Sequence, residues 1–155
     1  MFAKRMTLAA IGLVLSIPAV TTGALAQSAT LFAVLNGASE CNGAVPPLCG
    51  QGDTNGIGSA SVMLLGPTQL CATIIVHNIA APFAAHIHTG PTGVNGAVAV
   101  AIALNAPAGS PGTSVFCTVA APAGLTTAIR NNPQNFYINV HNAALPLGAV
   151  RGQLF

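Results

Sequence analysis

Charged side chains are rare in this chain, which holds four basic and two acidic residues among its 155. A nucleic-acid binder needs several basic contacts to phosphates, and an anionic membrane surface attracts clusters of basic residues. The composition provides neither, which argues against both kinds of partner. The two carboxylates, Glu40 and Asp53, lie in predicted loops. This placement argues against a hydrolase with paired carboxylates.

Common catalytic motifs are also absent from the sequence. It has no Cys-x-x-Cys pair, no Gly-x-Ser-x-Gly nucleophile motif and no glycine-rich phosphate loop. A Ser/His/Asp triad would have to use Asp53, and no local pattern supports one. The sequence therefore favours a protein without catalytic activity over an enzyme.

The first 26 residues have the three parts of a secretory signal peptide. Lys4 and Arg5 precede an uncharged apolar run, and small residues follow it up to Ala26. This pattern predicts cleavage after Ala26. The alternative is an uncleaved membrane anchor, but the run is shorter than the ~20 residues of a spanning helix and contains Pro18. We therefore expect an exported protein, periplasmic or extracellular.

Removal of residues 1–26 leaves 129 residues, a usual size for one domain, here residues 27–155. Two arginines then balance the two carboxylates, so the net charge of the mature domain is zero. No later stretch is long and apolar enough to span a membrane. Because low net charge promotes association, a protein partner or self-association stays open beside a domain that simply tolerates its low charge.

All four cysteines lie in the mature part of the chain. An even number in an exported protein favours disulfides over metal thiolates or a catalytic thiol. Four cysteines allow three pairings. We predict Cys41–Cys49, which closes a short loop with two prolines, and Cys71–Cys117, which joins two predicted strands.

Short apolar stretches separated by Gly, Pro and Asn predict a β protein throughout the mature chain. Gly66-Pro67-Thr68, for example, is a turn between two such stretches. The pattern is typical of an all-β, antiparallel Greek-key sandwich or barrel, here with two disulfides. One short helix is predicted at Leu125–Asn131. The predicted strands are Ala29–Leu35, Gly58–Leu65, Leu70–Val76, Ala84–His88, Ala97–Leu104, Ser114–Val119, Phe136–His141 and Ala149–Leu154.

Three of these strands carry polar side chains on one face only. Residues two apart in a strand point to the same side of a sheet. The apolar residues between them point to the other side, towards a core. The polar sets that share a face are His86 with His88, Tyr137 with Asn139 and His141, and Arg151 with Gln153.

These segments resemble the CHRD domain, a module repeated in the animal protein chordin and found singly in many exported bacterial proteins. The resemblance rests on three ordered motifs: HIHTGPTGVNG at 86–96, NPQNFYINVHN at 132–142 and PLGAVRGQL at 146–154. LNGASE at 35–40 and VPP at 45–47 resemble the family's opening, but Cys41–Ala44 are inserted between them. The resemblance implies a β-sandwich of extracellular type from about Thr30 to Phe155, and implies little about activity.

A weaker similarity links the chain to copper/zinc superoxide dismutase, another exported Greek-key barrel, through the order of the copper-site elements. On that analogy His86, His88 and His141 would bind copper or zinc, ions that imidazole suits. Arg151 would be a nearby guanidinium that attracts small anions. The chain departs from the pattern, because no His or Asp occurs between Thr89 and Cys117 to complete a zinc site.

Two hypotheses follow from these residues. The first is an exported, non-catalytic binding or structural module, in which the polar face is a hydrogen-bonded cluster of Glu40, Tyr137, Asn139 and Arg151. The second is a copper- or zinc-binding protein that uses the three histidines, with dismutase-like redox chemistry as its extension. The criterion is geometric: a metal site requires the three imidazole nitrogens to converge to within about 4 Å. His77 is interpreted as an ordinary strand-end histidine.

Overall fold

The computed structural model describes residues 28–41, 43, 47–104, 112–118 and 120–155. The predicted signal peptide, residues 1–26, lies outside the described residues. No helix within the described ranges is long and apolar enough to cross a membrane.

The described residues form eight strands and one α-helix, and each lies within two residues of its predicted position. The helix α1 covers Leu125–Asn131, and short 3-10 turns occur at 37–39 and 133–135. The strands are β1 (Ala29–Asn36), β2 (Ile57–Leu64), β3 (Leu70–His77), β4 (Pro82–Thr89), β5 (Val98–Ile102), β6 (Gly112–Thr118), β7 (Phe136–Asn142) and β8 (Val150–Gln153).

The strands form one sheet in the order β5-β4-β7-β8-β1-β2-β3-β6, and all neighbours are antiparallel. β1, β2 and β3 follow one another directly, and β4–β5 and β7–β8 are also adjacent pairs. The chain crosses to a distant position between β3 and β4, and again between β6 and β7. Such crossings define a Greek-key arrangement, which confirms the predicted fold class.

A single apolar core lies inside this sheet. Each strand contributes residues from alternate positions, which is the pattern of a sheet with one face buried. Because the end strands β5 and β6 pack on the same core as the central strands, the sheet must curl into a nearly closed barrel. The contributing residues include Leu35, Val62, Ile74, Ile87, Val100, Phe116, Ile138 and Val150.

Both predicted disulfides are present, and the described chain has no free cysteine. Cys71 and Cys117 lie opposite each other on β3 and β6, so their bond ties the end strand β6 to its neighbour. Cys41–Cys49 closes the loop that follows β1.

Strand β7 is buried on both faces, unlike the other long strands. Its inner residues, Ile138 and Val140, belong to the core. Its outer residues are covered by the loops that follow β1 and β4. Glu40 of the first loop contacts Asn139, and Gly96 of the second contacts Tyr137. The polar face of β7 therefore lies beneath two loops.

Candidate metal centre

Three histidines meet on the outer face of the barrel, where β4 pairs with β7. Ile87 points into the core, so His86 and His88 point outward beneath the loops. Tyr137 lies opposite His88 in the β4–β7 register, and Asn139 lies opposite His86. His141 is two residues farther along β7 and shares their face. The shared face predicted from residue spacing is the one that the fold provides.

The ring nitrogens of these histidines form one cluster. Nδ1 of His86 lies 2.9 Å from Nε2 of His141, and the three donor atoms of His86, His88 and His141 all lie within 4.8 Å of one another. Three nitrogens bound to one ion at 2.0–2.1 Å lie about 3.4 Å from one another in a tetrahedral site. The His86–His141 pair satisfies the criterion of about 4 Å, but the full set, within 4.8 Å, does not, so a bound ion would require the rings to move closer together.

Backbone carbonyls fix the tautomers of two of the rings. Nδ1 of His141 lies 3.1 Å from the carbonyl oxygen of Pro146, and Nδ1 of His88 lies 3.0 Å from that of Gly96. A carbonyl oxygen only accepts hydrogen bonds, so each Nδ1 carries the proton and donates it. In the neutral rings Nε2 of His88 and Nε2 of His141 therefore carry lone pairs rather than protons, as metal ligands require, and the lone pair of His141 accepts from Nδ1 of His86.

The loop carbonyl that orients His88 belongs to a glycine for a steric reason. A Cβ atom at Gly96 would overlap the carbonyl group of Thr89. The backbone N–H of Gly96 also donates to the hydroxyl of Tyr137, at 3.2 Å. A residue without a side chain thus allows the loop to approach β4 closely enough to contact both rings.

Burial keeps the histidines in the form that binds metals. Burial is the main cause that lowers the pKa of His141 to about 4 from its ordinary 6.5, and the neighbouring His86 adds to it. Burial also lowers the pKa of His86 and the pKa of His88. All three rings are therefore neutral at neutral pH, and a metal ion would have few protons to displace.

Arg151 lies next to this cluster but is directed at the loop that follows β4. Its guanidinium donates to the carbonyl oxygen of Val94 at 2.7 Å, to Oδ1 of Asn95 at 2.9 Å and to the carbonyl oxygen of Pro91 at 3.4 Å. Only 2 % of Arg151 is exposed. Because this buried guanidinium donates three hydrogen bonds to the loop, it is not placed to attract anions from solvent.

Tyr137 connects Arg151 to the histidines. Its ring stacks on His88, with centroids 4.8 Å apart and planes 7° from parallel. The guanidinium carbon of Arg151 lies 3.5 Å from the centroid of the same ring, a distance typical of a cation–π contact. Movement of Arg151 would therefore shift the His88 ring, through its contact with Tyr137 and through the loop that carries Gly96.

Glu40 is buried beside Asn139 and is not part of the histidine group. Its Oε2 accepts a hydrogen bond from Nδ2 of Asn139 at 3.1 Å, and its Oε1 is buried without a hydrogen-bond partner. Gly148 leaves room for the carboxyl group, because a Cβ there would overlap it. Burial raises the pKa of Glu40 to about 8, against the lowering effects of Arg151 and Asn139.

A cleft of about 210 Å³ lies beside Glu40, between the disulfide-closed loop and the chain that follows β7. Residues 144–148 form one wall, which includes the carbonyl group that orients His141. Cys41 and Gln51 line the other side. The cleft therefore adjoins the backbone that orients His141, and none of the three clustered histidines lines it.

Sequence reasoning placed Gln153 on the polar face with Arg151, but it assigned no role in the site to Gln153 or to Asn95. Asn95 accepts from Arg151 and donates through Nδ2 to the carbonyl oxygen of Cys41 at 2.7 Å, so it joins two loops. Gln153 donates to carbonyl groups of residues 90, 134 and 136. Asn95 and Gly96 lie in the first CHRD motif, and nothing local shows which distant groups they will contact. His77, at the end of β3, is not in the cluster.

The raised pKa of Glu40 predicts how stability depends on pH. The folded protein keeps a proton that the unfolded chain releases above pH 4.5, so stability falls as the pH rises to about 8. The lowered histidine pKa values increase stability as the pH rises, because the unfolded chain binds protons that the folded protein does not. This effect ends near the ordinary histidine pKa of 6.5. Between pH 6.5 and 8 we therefore expect the free energy of unfolding to fall by about 2 kcal/mol. Urea denaturation across this range measures it.

The matched variants for this prediction are Glu40→Gln and Asp53→Asn. The first should flatten the curve between pH 6.5 and 8, because a neutral amide replaces the titrating group. The second should keep the slope of the parent protein. A curve for Glu40→Gln that still declines by about 2 kcal/mol would assign the effect to another group.

Comparison with known families agrees with the motifs. The family model for the CHRD domain matches residues 31–154. The chain belongs to the CHRD family. No curated protein and no solved structure matches the chain significantly. The histidine cluster, Glu40 and Arg151 all lie inside the matched range, so the site is built from the CHRD domain itself. CHRD membership supports a non-enzymatic binding or structural module.

Proposed function

We propose that this chain is an exported CHRD module that binds one copper or zinc ion through His86, His88 and His141. The observation that carries the proposal is the state of two Nε2 atoms. Those of His88 and His141 carry lone pairs rather than protons because each Nδ1 donates to a backbone carbonyl group. The Nε2 of His88 is also buried without a hydrogen-bond partner.

A buried nitrogen without a partner loses its hydrogen bonds to water and gains none in the protein. Coordination of a metal ion would satisfy it. The third nitrogen, Nδ1 of His86, lies 2.9 Å from Nε2 of His141, a contact that one shared proton explains in the metal-free protein. Coordination by Nδ1 of His86 would require that proton to move to Nε2 of the same ring, so that the imidazole stays neutral.

The donor set favours borderline transition metals. Three neutral imidazole nitrogens suit copper and zinc, whereas magnesium and calcium prefer carboxylate oxygens. Glu40 is not in the cluster, and every described cysteine is in a disulfide. Export is supported by the predicted signal peptide and by the two disulfides, which form and persist in oxidising compartments.

Metal analysis tests this function. We expect the exported product of the full-length gene, purified without chelators, to bind one equivalent of Cu²⁺ or Zn²⁺. His141→Ala and His88→Ala should each lower the affinity at least ~100-fold, because each removes a ligand. Competition titration with a chromogenic chelator measures the affinity, and elemental analysis measures the stoichiometry.

His77→Ala is the matched control, since it removes a histidine outside the cluster and should bind like the parent protein. Far-ultraviolet circular dichroism shows that each variant is folded. No stoichiometric metal in the parent protein, or equal affinity in His141→Ala, would contradict the proposal. Either result would favour the module without metal.

A further inference from the structure

The outer face of β1, β2 and β3 carries large apolar side chains and no Asp, Glu, Lys or Arg, and His77 and several Ser and Thr side chains also lie on it. Its outward positions alternate with core residues, yet several carry large apolar side chains. Val34 is 65 % exposed and Phe32 51 % exposed, and Phe155 is 65 % exposed beside Phe32. None of the four charged residues of the mature chain belongs to these strands or to Phe155. The other large apolar members of this face are Ile57, Met63 and Ile75.

This face consists of a ridge beside a groove. Phe32 and Val34 of β1 form the ridge, and they lie opposite Ser61 and Ser59 of β2 in the strand register. The small side chains of β2 form the floor of the groove. Ile75, opposite Ser59 on β3, forms its far wall. Two adjoining hollows of about 430 and 390 Å³ lie along this floor.

We propose that this face binds a second copy of the chain, with the Phe32–Val34 ridge of each copy in the Ser59–Ser61 groove of the other. A two-fold interface brings the same patch of both copies together, so that patch must complement itself. A ridge directly beside a groove on one face meets this requirement. A second requirement is that like charges do not meet in the interface. The absence of Asp, Glu, Lys and Arg from the face satisfies it.

The area of the face can be compared with the area that a specific dimer buries. Eight residues span about 27 Å, and four strand positions, from Phe155 beside β1 to β3, span about 19 Å. About 500 Å² per copy then gives about 1,000 Å² in total, the lower limit for a specific interface. We therefore expect a weak dimer that dissociates on dilution.

The dimer and the metal centre use different parts of the sheet. β8 and β7 separate β1 from β4, which carries two of the three histidines. The inference therefore does not depend on the proposed function. Oligomeric state and metal binding are measured separately, so failure of one leaves the other intact.

Sedimentation velocity of the exported product, over a wide range of concentrations, tests the dimer. We expect a shift from monomer to dimer in the parent protein and only monomer in Val34→Lys, where two like charges would meet near the axis. Val98→Lys is the matched control, because Val98 is 52 % exposed on β5, outside the face. It should dimerise like the parent protein.

A mixing experiment identifies the partner as a second copy. Val34→Glu alone should also be monomeric, and an equimolar mixture with Val34→Lys should restore the dimer through opposite charges. A parent protein that is monomeric at every concentration would overturn the proposal. A Val34→Lys dimer as strong as the parent would overturn the assigned face. Binding of the parent protein to lipid vesicles through Phe32, without dimerisation, would assign the face to a membrane and also overturn it.

Discussion

Replacing Arg151 with methionine is expected to destabilise the domain by about 3–5 kcal/mol. Methionine is also long and flexible, so the change removes the guanidinium without leaving a large cavity. Three oxygen atoms of residues 91, 94 and 95 would lose their donor. A hydrogen bond from a charged donor contributes about 1.5–3 kcal/mol, these bonds are part-buried, and the contact with Tyr137 would also be lost. Thermal denaturation should show a midpoint about 10–20 °C lower.

The other arginine of the described residues supplies the control. Arg130 lies in the last turn of α1, and its Nε and one terminal nitrogen are buried without hydrogen-bond partners. Arg130→Met should therefore change stability by no more than about 0.5 kcal/mol, or increase it. Equal destabilisation by both substitutions would show that the loop bonds of Arg151 contribute little.

The loss of Arg151 should also change the orientation of His88 in the histidine cluster. The loop that it anchors includes Gly96, whose carbonyl orients His88. We expect a lower metal affinity in the folded fraction of Arg151→Met, although Arg151 is not a ligand. This identifies it as a positioning residue. A nuclear magnetic resonance spectrum that shows an altered His88 tautomer would separate this effect from general instability.

Removing the Cys71–Cys117 disulfide is expected to cost about 4 kcal/mol in the double variant Cys71→Ala/Cys117→Ala. The bond joins residues 46 positions apart, so it restricts the unfolded chain strongly. It also holds β6, which pairs only with β3 among the described strands. Urea denaturation of the oxidised protein measures the change.

The second disulfide provides an internal comparison for this prediction. Cys41 and Cys49 are only 8 positions apart, so the variant Cys41→Ala/Cys49→Ala should lose about 2.5 kcal/mol. If the short loop proved more important than the long one, chain entropy would not explain the ranking. The bond from Asn95 to the carbonyl of Cys41 would then be the first cause to examine.

Much of the fold could be predicted because its signals are local. The alternation of apolar and polar residues in β2 and β7 depends on neighbours two positions apart, and turn residues mark the strand ends. The pairing of Cys71 with Cys117 could be predicted for a related reason. Each lies within a regular strand, and strands bring such residues opposite one another.

The sequence predicted most residues of the site but not the contacts between them. His86 and His88 are neighbours on one strand, and the spacing of β7 places His141 on a single face with Tyr137. The sequence placed Arg151 and Glu40 in a polar cluster, but it could not show that Arg151 bonds Asn95 and Glu40 bonds Asn139, because these partners lie 56 and 99 positions away in the chain. The choice between a guanidinium open to anions and one bound to a loop depends on those distant contacts.

The sequence by itself determined an all-β Greek-key domain of the CHRD family with two disulfides, because periodicity, turn chemistry and motifs are properties of short segments. Only the tertiary structure decided which histidine nitrogens are free and which face of β1–β3 is left apolar and uncovered. It also placed Arg151 against the loop after β4. The physical reason is that a tautomer, a buried charge and a surface groove each depend on atoms that chain crossings bring together from distant residues.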